Sequence, residues 1–225
     1  MNEWDNWTLE QKTPSLDIAV NFLTTASLNG NLQEVKDLHA LIVQKFDTTV
    51  DTQDVRRLQH TPLEWAAEKG HYEVVDYLIP LSVFDHRNTA LNKAAQNGHT
   101  VCVHALIPHY SPEALSDAMA DAVYKNQWDA ADMLLAFDPP NIHNEYELCL
   151  IWSSAHNNLA FLKRFYALCN PERALQMMRE SEERGHGWSD EETELLRQYH
   201  SPQAQRERLA QQVGKGKGTS RRAKI

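Results

Sequence analysis

Eleven histidines, three cysteines and two acidic clusters are the side chains most able to do chemistry, so the first question is whether any of them converge. His99, His104 and His109 recur every five residues. On a helix that spacing turns each by about 140° from the last, whereas ligand pairs on one face sit three or four residues apart. No metal site is expected. Cys102, Cys149 and Cys169 match no metal or redox spacing and lie among apolar helical residues, which makes them buried free thiols. Glu180, Glu182 and Glu183 read as a solvated helix face, and Asp190, Glu191 and Glu192 as a helix N-terminus favoured by the macrodipole. No Gly-x-Ser-x-Gly elbow occurs, and Gly214-Lys-Gly-Lys-Gly shares only its composition with a phosphate loop. The sequence therefore points away from an enzyme and implies no cofactor.

Composition narrows the class further. The hydrophobic fraction is 42% while aromatics are only 8% and glycines number 8, so alanine, leucine and valine build the core, as packed helices require. A net charge of −9 argues against binding nucleic acid through the body, because phosphates must be neutralised to be bound. The basic residues Arg206, Arg208, Lys215, Lys217, Arg221, Arg222 and Lys224 gather at the end against the single acid Glu207. Residues 213–225 are expected to be a disordered basic tail, and Arg206–Lys224 is the one segment through which nucleic acid would be engaged. Met1–Trp7 is acidic and polar, and no apolar stretch approaches the ~18 residues of a membrane span. The expectation is a cytoplasmic protein without a membrane segment, with leaderless secretion or delivery into a host cell left open.

The elements that must carry any site emerge from an internal repeat. Thr61–Ile79 is a short helix, a glycine break and a second short helix, and Thr89–Ile107 superimposes on it with a shift of 28, placing Gly70-His71 on Gly98-His99. Weaker copies place breaks at Gly30-Asn31, Gln127-Trp128 and Asn157-Asn158. The breaks at 30, 70, 98, 127 and 157 are thus separated by 40, 28, 29 and 30 residues. After each break apolar residues follow at helical spacing, as in Val74, Val75 and Leu78, or Phe161, Leu162 and Phe165. Helices this short are marginal alone, so the pairs must stack. A left-handed cap favours glycine or asparagine at the break, and Gln127 is the poorest fit. Small pairs such as Ala66-Ala67 and Ala94-Ala95 let first helices approach their neighbours.

Thr61-Pro62-Leu63, Ala66-Ala67, Gly70-His71 and Val74-Val75, repeated at Thr89-Ala90-Leu91, Ala94-Ala95 and Gly98-His99, resemble the ankyrin-repeat family in a divergent, shortened form. The resemblance implies an all-α helical solenoid of about five helix pairs that binds other proteins. It also implies a capping role for Thr61 and Thr89, while Glu64 and Asn92 stand where the family prefers histidine. The family's period is about 33 residues, so the later separations predict shortened fingers at 80–88 and 108–112. The first, longer separation leaves a connection at 47–60 that holds a finger or an extra turn of helix.

The array is expected over 16–168, after an N-terminal cap segment at 1–15 whose Trp4 and Trp7 either tuck over the first repeat, the favoured reading, or stand exposed for a partner. Capping helices follow at 170–212 as a C-terminal helical hairpin cap. Asn170-Pro171 starts one helix, Ser189 with Glu192 forms a capping box for the next, and Pro202 opens a third. By analogy with the family, partner contacts fall just before each break and before each first helix. These positions are His60, Glu68, Lys69, Asn88, Gln96, Asn97, Lys125, Asn126, Ala155 and His156, with Arg56, Arg57, His86 and Arg87 nearby. Trp128, after the fourth break, is either an interface anchor or packed in the core against Tyr124. The expected function is a non-catalytic module that captures a protein partner on a concave face, as an effector or inhibitor. The alternative is a nucleic-acid-associated factor acting through its tail.

Overall fold

The structure is a computed structural model that describes residues 8, 11, 13–48, 53–84, 89–137, 146–168, 176, 178–180, 182–185, 187–199 and 201. These residues are helical, with no strand among them. They fall into two compact units, Met1–Asp138 and Pro139–Ile225, so the division lies inside the repeat array. The N-terminal unit contains α1 (Leu16–Leu28), α2 (Leu32–Lys45), α3 (Gln53–Lys69), α4 (Tyr72–Leu78), α5 (Ala90–Gln96), α6 (Thr100–Leu106), α7 (Pro112–Tyr124) and α8 (Trp128–Phe137). The C-terminal unit contains α9 (Tyr146–Ala155), α10 (Leu159–Leu168) and α11 (Asp190–Tyr199).

In the N-terminal unit the helices form two layers. First helices pack in the order α1, α3, α5, α7, and second helices in the order α2, α4, α6, α8. The core repeats with the sequence: Leu63, Ala66 and Ala67 correspond to Leu91, Ala94 and Ala95 and to Met119, Ala122 and Val123, all buried. Val74, Val75 and Leu78 correspond in the same way to Cys102, Val103 and Leu106 and to Ala130, Ala131 and Leu134. Alanine on the first helices keeps neighbouring repeats close, and Leu78, Leu106 and Leu134 fill the second-helix side. Burial pushes the Cys102 thiol up to about 11.

This register corrects the fourth break. The residue in the left-handed region is Asn126, at φ 62°, and not Gln127, so the breaks at 30, 70, 98, 126 and 157 are separated by 40, 28, 28 and 31 residues. Asparagine accepts that conformation better than most residues, which explains why Gln127 fitted the break poorly. Gln127 takes the position of His71 and His99. Each of those histidines reaches back into the preceding break, where His71 Nε2 donates to Leu28 O at 2.9 Å and His99 Nε2 donates to Glu68 O at 3.0 Å. A Cβ on Gly70 would lie 2.5 Å from His99 Nδ1, and one on Gly98 would meet the Gln127 side chain. The glycine and the next repeat's polar residue thus interlock.

Helix starts differ from the family pattern for tertiary reasons. Thr61 does not cap, because α3 begins at Gln53 and carries Pro62 in its interior. The connection at 47–60 is therefore mainly extra helix. Thr89 stands at the N-cap of α5 but its side chain makes no capping bond. Neighbours supply what it does not: Thr89 N donates to Glu64 Oε1 at 2.9 Å, and Leu91 N donates to Tyr110 Oη at 3.3 Å. Glu64 and Asn92 make inter-repeat bonds although they replace histidine, the latter from Nδ2 to Asp121 Oδ2 at 2.8 Å.

In the segments expected to be shortened fingers, the described residues form single 3₁₀ turns at Ile79–Leu81 and Ile107–His109, while residues 85–88 lie outside the described residues. Phe84 stacks on His109 with ring centroids 4.8 Å apart and meets Tyr110 edge-on at 5.3 Å, tying the two loops together. Burial raises the Tyr110 phenol well above its ordinary range. Tyr110→Phe is expected to lower stability by about 1–3 kcal/mol, because it leaves the Leu91 N–H without its acceptor. The shift of the urea midpoint measures it.

In the C-terminal unit α9 packs against α10 and α10 against α11. Phe161, Leu162, Phe165 and Tyr166 of α10 are buried, as is Cys149 of α9. Asn157, at φ 52°, makes the break, and Asn158 Oδ1 accepts from Phe161 N at 3.0 Å to cap α10. The capping box at α11 forms: Ser189 N donates to Glu192 Oε2 at 2.8 Å, and Glu192 N donates to Ser189 Oγ at 3.3 Å. Asn170, Pro171, the helix expected from Pro202 and the basic tail lie outside the described residues, as do Trp4 and Trp7.

Candidate functional site

Because α3, α5 and α7 keep a strict 28-residue register, equivalent residues form rows across the first-helix layer. One row is Trp65, Lys93 and Asp121; the next, one turn on, is Glu68, Gln96 and Tyr124; the last is Lys69, Asn97 and Lys125. Side chains cross between the rows. Lys93 Nζ lies 3.0 Å from Glu68 Oε2, and Gln96 Nε2 donates to Asp121 Oδ2 at 3.0 Å. The hydrogen bond from Lys93 leads the effects that hold the Glu68 carboxyl below its ordinary value, with Lys69 adding a weaker contact at 3.4 Å. The surface is thus a polar lattice pinned between helices, and pre-ordered side chains lose less freedom when a partner binds.

Glu68, Lys69, Gln96, Asn97 and Lys125 all lie on this surface, Lys69, Asn97 and Lys125 being exposed and the other two half-buried. Lys125 Nζ sits 5.1 Å from the centroid of the Tyr124 ring. His60 does not lie on it. The extension of α3 carries that residue into the helix interior, where it is 8% exposed. Asn126 is the turn residue itself, so the two positions before the fourth break are Tyr124 and Lys125. Trp128 is the first residue of α8, half-buried, and does not occupy the histidine position. Its expected packing partner Tyr124 is 48% exposed. His156 is exposed before the fifth break, beside Trp152 at a ring separation of 6.3 Å. Asn88, His86 and Arg87 lie outside the described residues. Arg57 instead ties α3 to α1 within the first-helix layer, its guanidinium donating to Asp17 and Asn21.

Trp65, Asp121 and Tyr124 were missed from the sequence. Trp65 is 36% exposed where its neighbours Ala66 and Ala67 are fully buried. Extending the shift of 28 from the third repeat to the fourth would have found Tyr124 and Asp121. The degenerate Gln127-Trp128 pair hid that register.

Among the described residues, no group of His, Cys, Asp or Glu could hold a metal ion, and no helix is long and apolar enough to cross a membrane. The family described as Ankyrin repeats (many copies) matches residues 63–107. A crystal structure of the human ASB11 ankyrin repeat domain is similar in fold, with a TM-score of 0.52 and 20% identity over 80% of this chain and 83% of that one. No curated protein matches the sequence. Ankyrin repeats generally mediate protein–protein interaction. Residues 63–107 are ankyrin repeats, and the chain has the ankyrin-repeat fold, an all-α helical solenoid.

Proposed function

We propose that the protein is a non-catalytic binding module whose partner, another protein, lies across the first helices of the N-terminal unit. The observation that carries this reading is the row register: three repeats present Glu68, Gln96 and Tyr124, and beside them Lys69, Asn97 and Lys125, at equivalent points of one layer. This layer corresponds to the concave face on which the family's fold binds partners. A module of this kind acts by occluding or recruiting what it binds, which accommodates an effector or inhibitor role in a cytoplasm. His156 holds the equivalent position before the fifth break, in the C-terminal unit, and is a separate candidate contact there.

The test is quantitative capture from cytosol with the wild type and with Glu68, Lys69, Gln96 and Asn97 all changed to alanine. A specific partner should fall at least roughly tenfold, the loss of about 1.4 kcal/mol of binding energy. Equal retention by a variant whose melting curve is unchanged would reject the first-helix face.

A further inference from the structure

We infer that α3 has two competing N-termini: residues 53–60 form a detachable arm, and its release moves Glu64 from the start of α5 to a new cap at Thr61. Thr61-Pro62-Leu63-Glu64 carries every signal of a helix start. Threonine is a preferred N-cap, proline a preferred first helical residue, and glutamate three positions after the cap completes a capping box. The residue before a proline is also pushed from helical towards extended backbone, which is the N-cap conformation. Yet α3 runs straight through this start, from Gln53 to Lys69 with Pro62 inside it.

Continuity across Pro62 weakens the helix there. Pro62 has no N–H to offer the carbonyl of Leu58, and its ring crowds that carbonyl. The arm is therefore held from the side rather than along its axis. Arg57 donates to Asp17 and Asn21 of α1, while Val55 and His60 are buried. The side chains of Arg57 and Asp17 are 34% and 53% exposed, so water and solutes compete for this tie.

Glu64 couples the two states. In the continuous helix its Oε1 accepts from Thr89 N at 2.9 Å and serves the start of α5, whose own N-cap side chain makes no capping bond. With the arm released, Thr61 becomes extended and its hydroxyl accepts from the Glu64 N–H. The Glu64 carboxylate accepts in turn from the Thr61 N–H, the reciprocal pair of a capping box. Thr89 N then loses its acceptor, so opening of α3 reaches α5 through one carboxylate. A ligand that takes Asp17 and Asn21 from Arg57 shifts the population towards the open state.

Residue-resolved amide exchange, followed by NMR on the full-length chain, tests the device. Amides of residues 57–60 should exchange at least roughly tenfold faster than those of 65–69, as a separately opening segment does. Thr61→Val keeps the branched shape and helix propensity but deletes the hydroxyl that caps only the open state. It should slow arm exchange about two- to thirtyfold, the range of a lost N-cap. Pro62→Ala, which restores the bond to the Leu58 carbonyl, should slow it by roughly a hundredfold. Asp17→Asn with Asn21→Ala should speed it, and the Thr89 amide should lose protection in parallel although Glu64 and Thr89 are unaltered. Arm amides that exchange together with 65–69 would reveal one cooperative helix and overturn the inference. Arm exchange unchanged or faster in Thr61→Val would overturn it as well, because simple fraying from Gln53 needs no cap at Thr61. A Thr89 amide that stays protected while the arm opens refutes the transfer of Glu64. Thr61→Val alters only a hydroxyl that caps nothing in the continuous helix, so it decides the matter even where the paired α1 variant fails to fold.

Discussion

Gly70→Ala is expected to destabilise the N-terminal unit by about 2–4 kcal/mol. Two independent penalties add. Gly70 has φ 74°, a left-handed conformation that costs an alanine about 1–2 kcal/mol. The new Cβ would also lie 2.5 Å from His99 Nδ1, so the imidazole must move and its bond to Glu68 O is lost. A hydrogen bond of this kind is worth about 0.5–1.5 kcal/mol, and the orphaned carbonyl adds to the loss. A double-mutant cycle with His99→Ala separates the two. In that background Gly70→Ala should cost only the backbone part, giving a coupling of about 1 kcal/mol or more between the sites. Urea denaturation of the four proteins supplies the numbers. Strict additivity would mean that the interlock contributes nothing beyond the turn.

The second large effect is expected in the C-terminal unit. Phe161 is fully buried in α10, 6.2 Å from the ring of Phe165. Phe161→Ala removes a large side chain from a core built by few helices, at a cost of about 3–5 kcal/mol. Cys149, 0% exposed on the adjoining α9, reports the consequence. In the variant its thiol should react with a maleimide under native conditions, while Cys102, buried in the N-terminal unit, stays protected. Mass spectrometry of the labelled peptides distinguishes the two sites. Unchanged protection of Cys149 would show that the α9–α10 pair closes over the missing ring.

Much of this fold is legible in the chain because each repeat states its own two helices. Val74, Val75 and Leu78 mark a buried face by spacing and Ala66 and Ala67 mark close approach by size, and all five are buried. Ser189 and Glu192 announced a capping box by type and separation, and it forms. The fourth break shows where pattern fails. Gln127 aligns with the glycines only if Gly-His is one inseparable pair, whereas backbone preference and the interlocking side chain are separate requirements. Asn126 meets the first and Gln127 the second. His60 shows the complementary failure, since nothing local signals that α3 starts eight residues before Thr61 and carries Pro62 within it.

By itself, then, the sequence determined that helices come in pairs, where most pairs reverse, and which faces turn inward, because helical periodicity and left-handed turns are local properties of residue type. Only the tertiary structure decided what joins the pairs. Histidines bond carbonyls of the preceding repeat, Tyr110 and Glu64 serve the start of α5 in place of Thr89, and Lys93 turns to Glu68 while amides hold Asp121. Those choices depend on distances between residues 19 to 43 apart in the chain. Spacing within one helix carries no record of them, because a polar side chain selects its partner only after the neighbouring repeat has packed alongside.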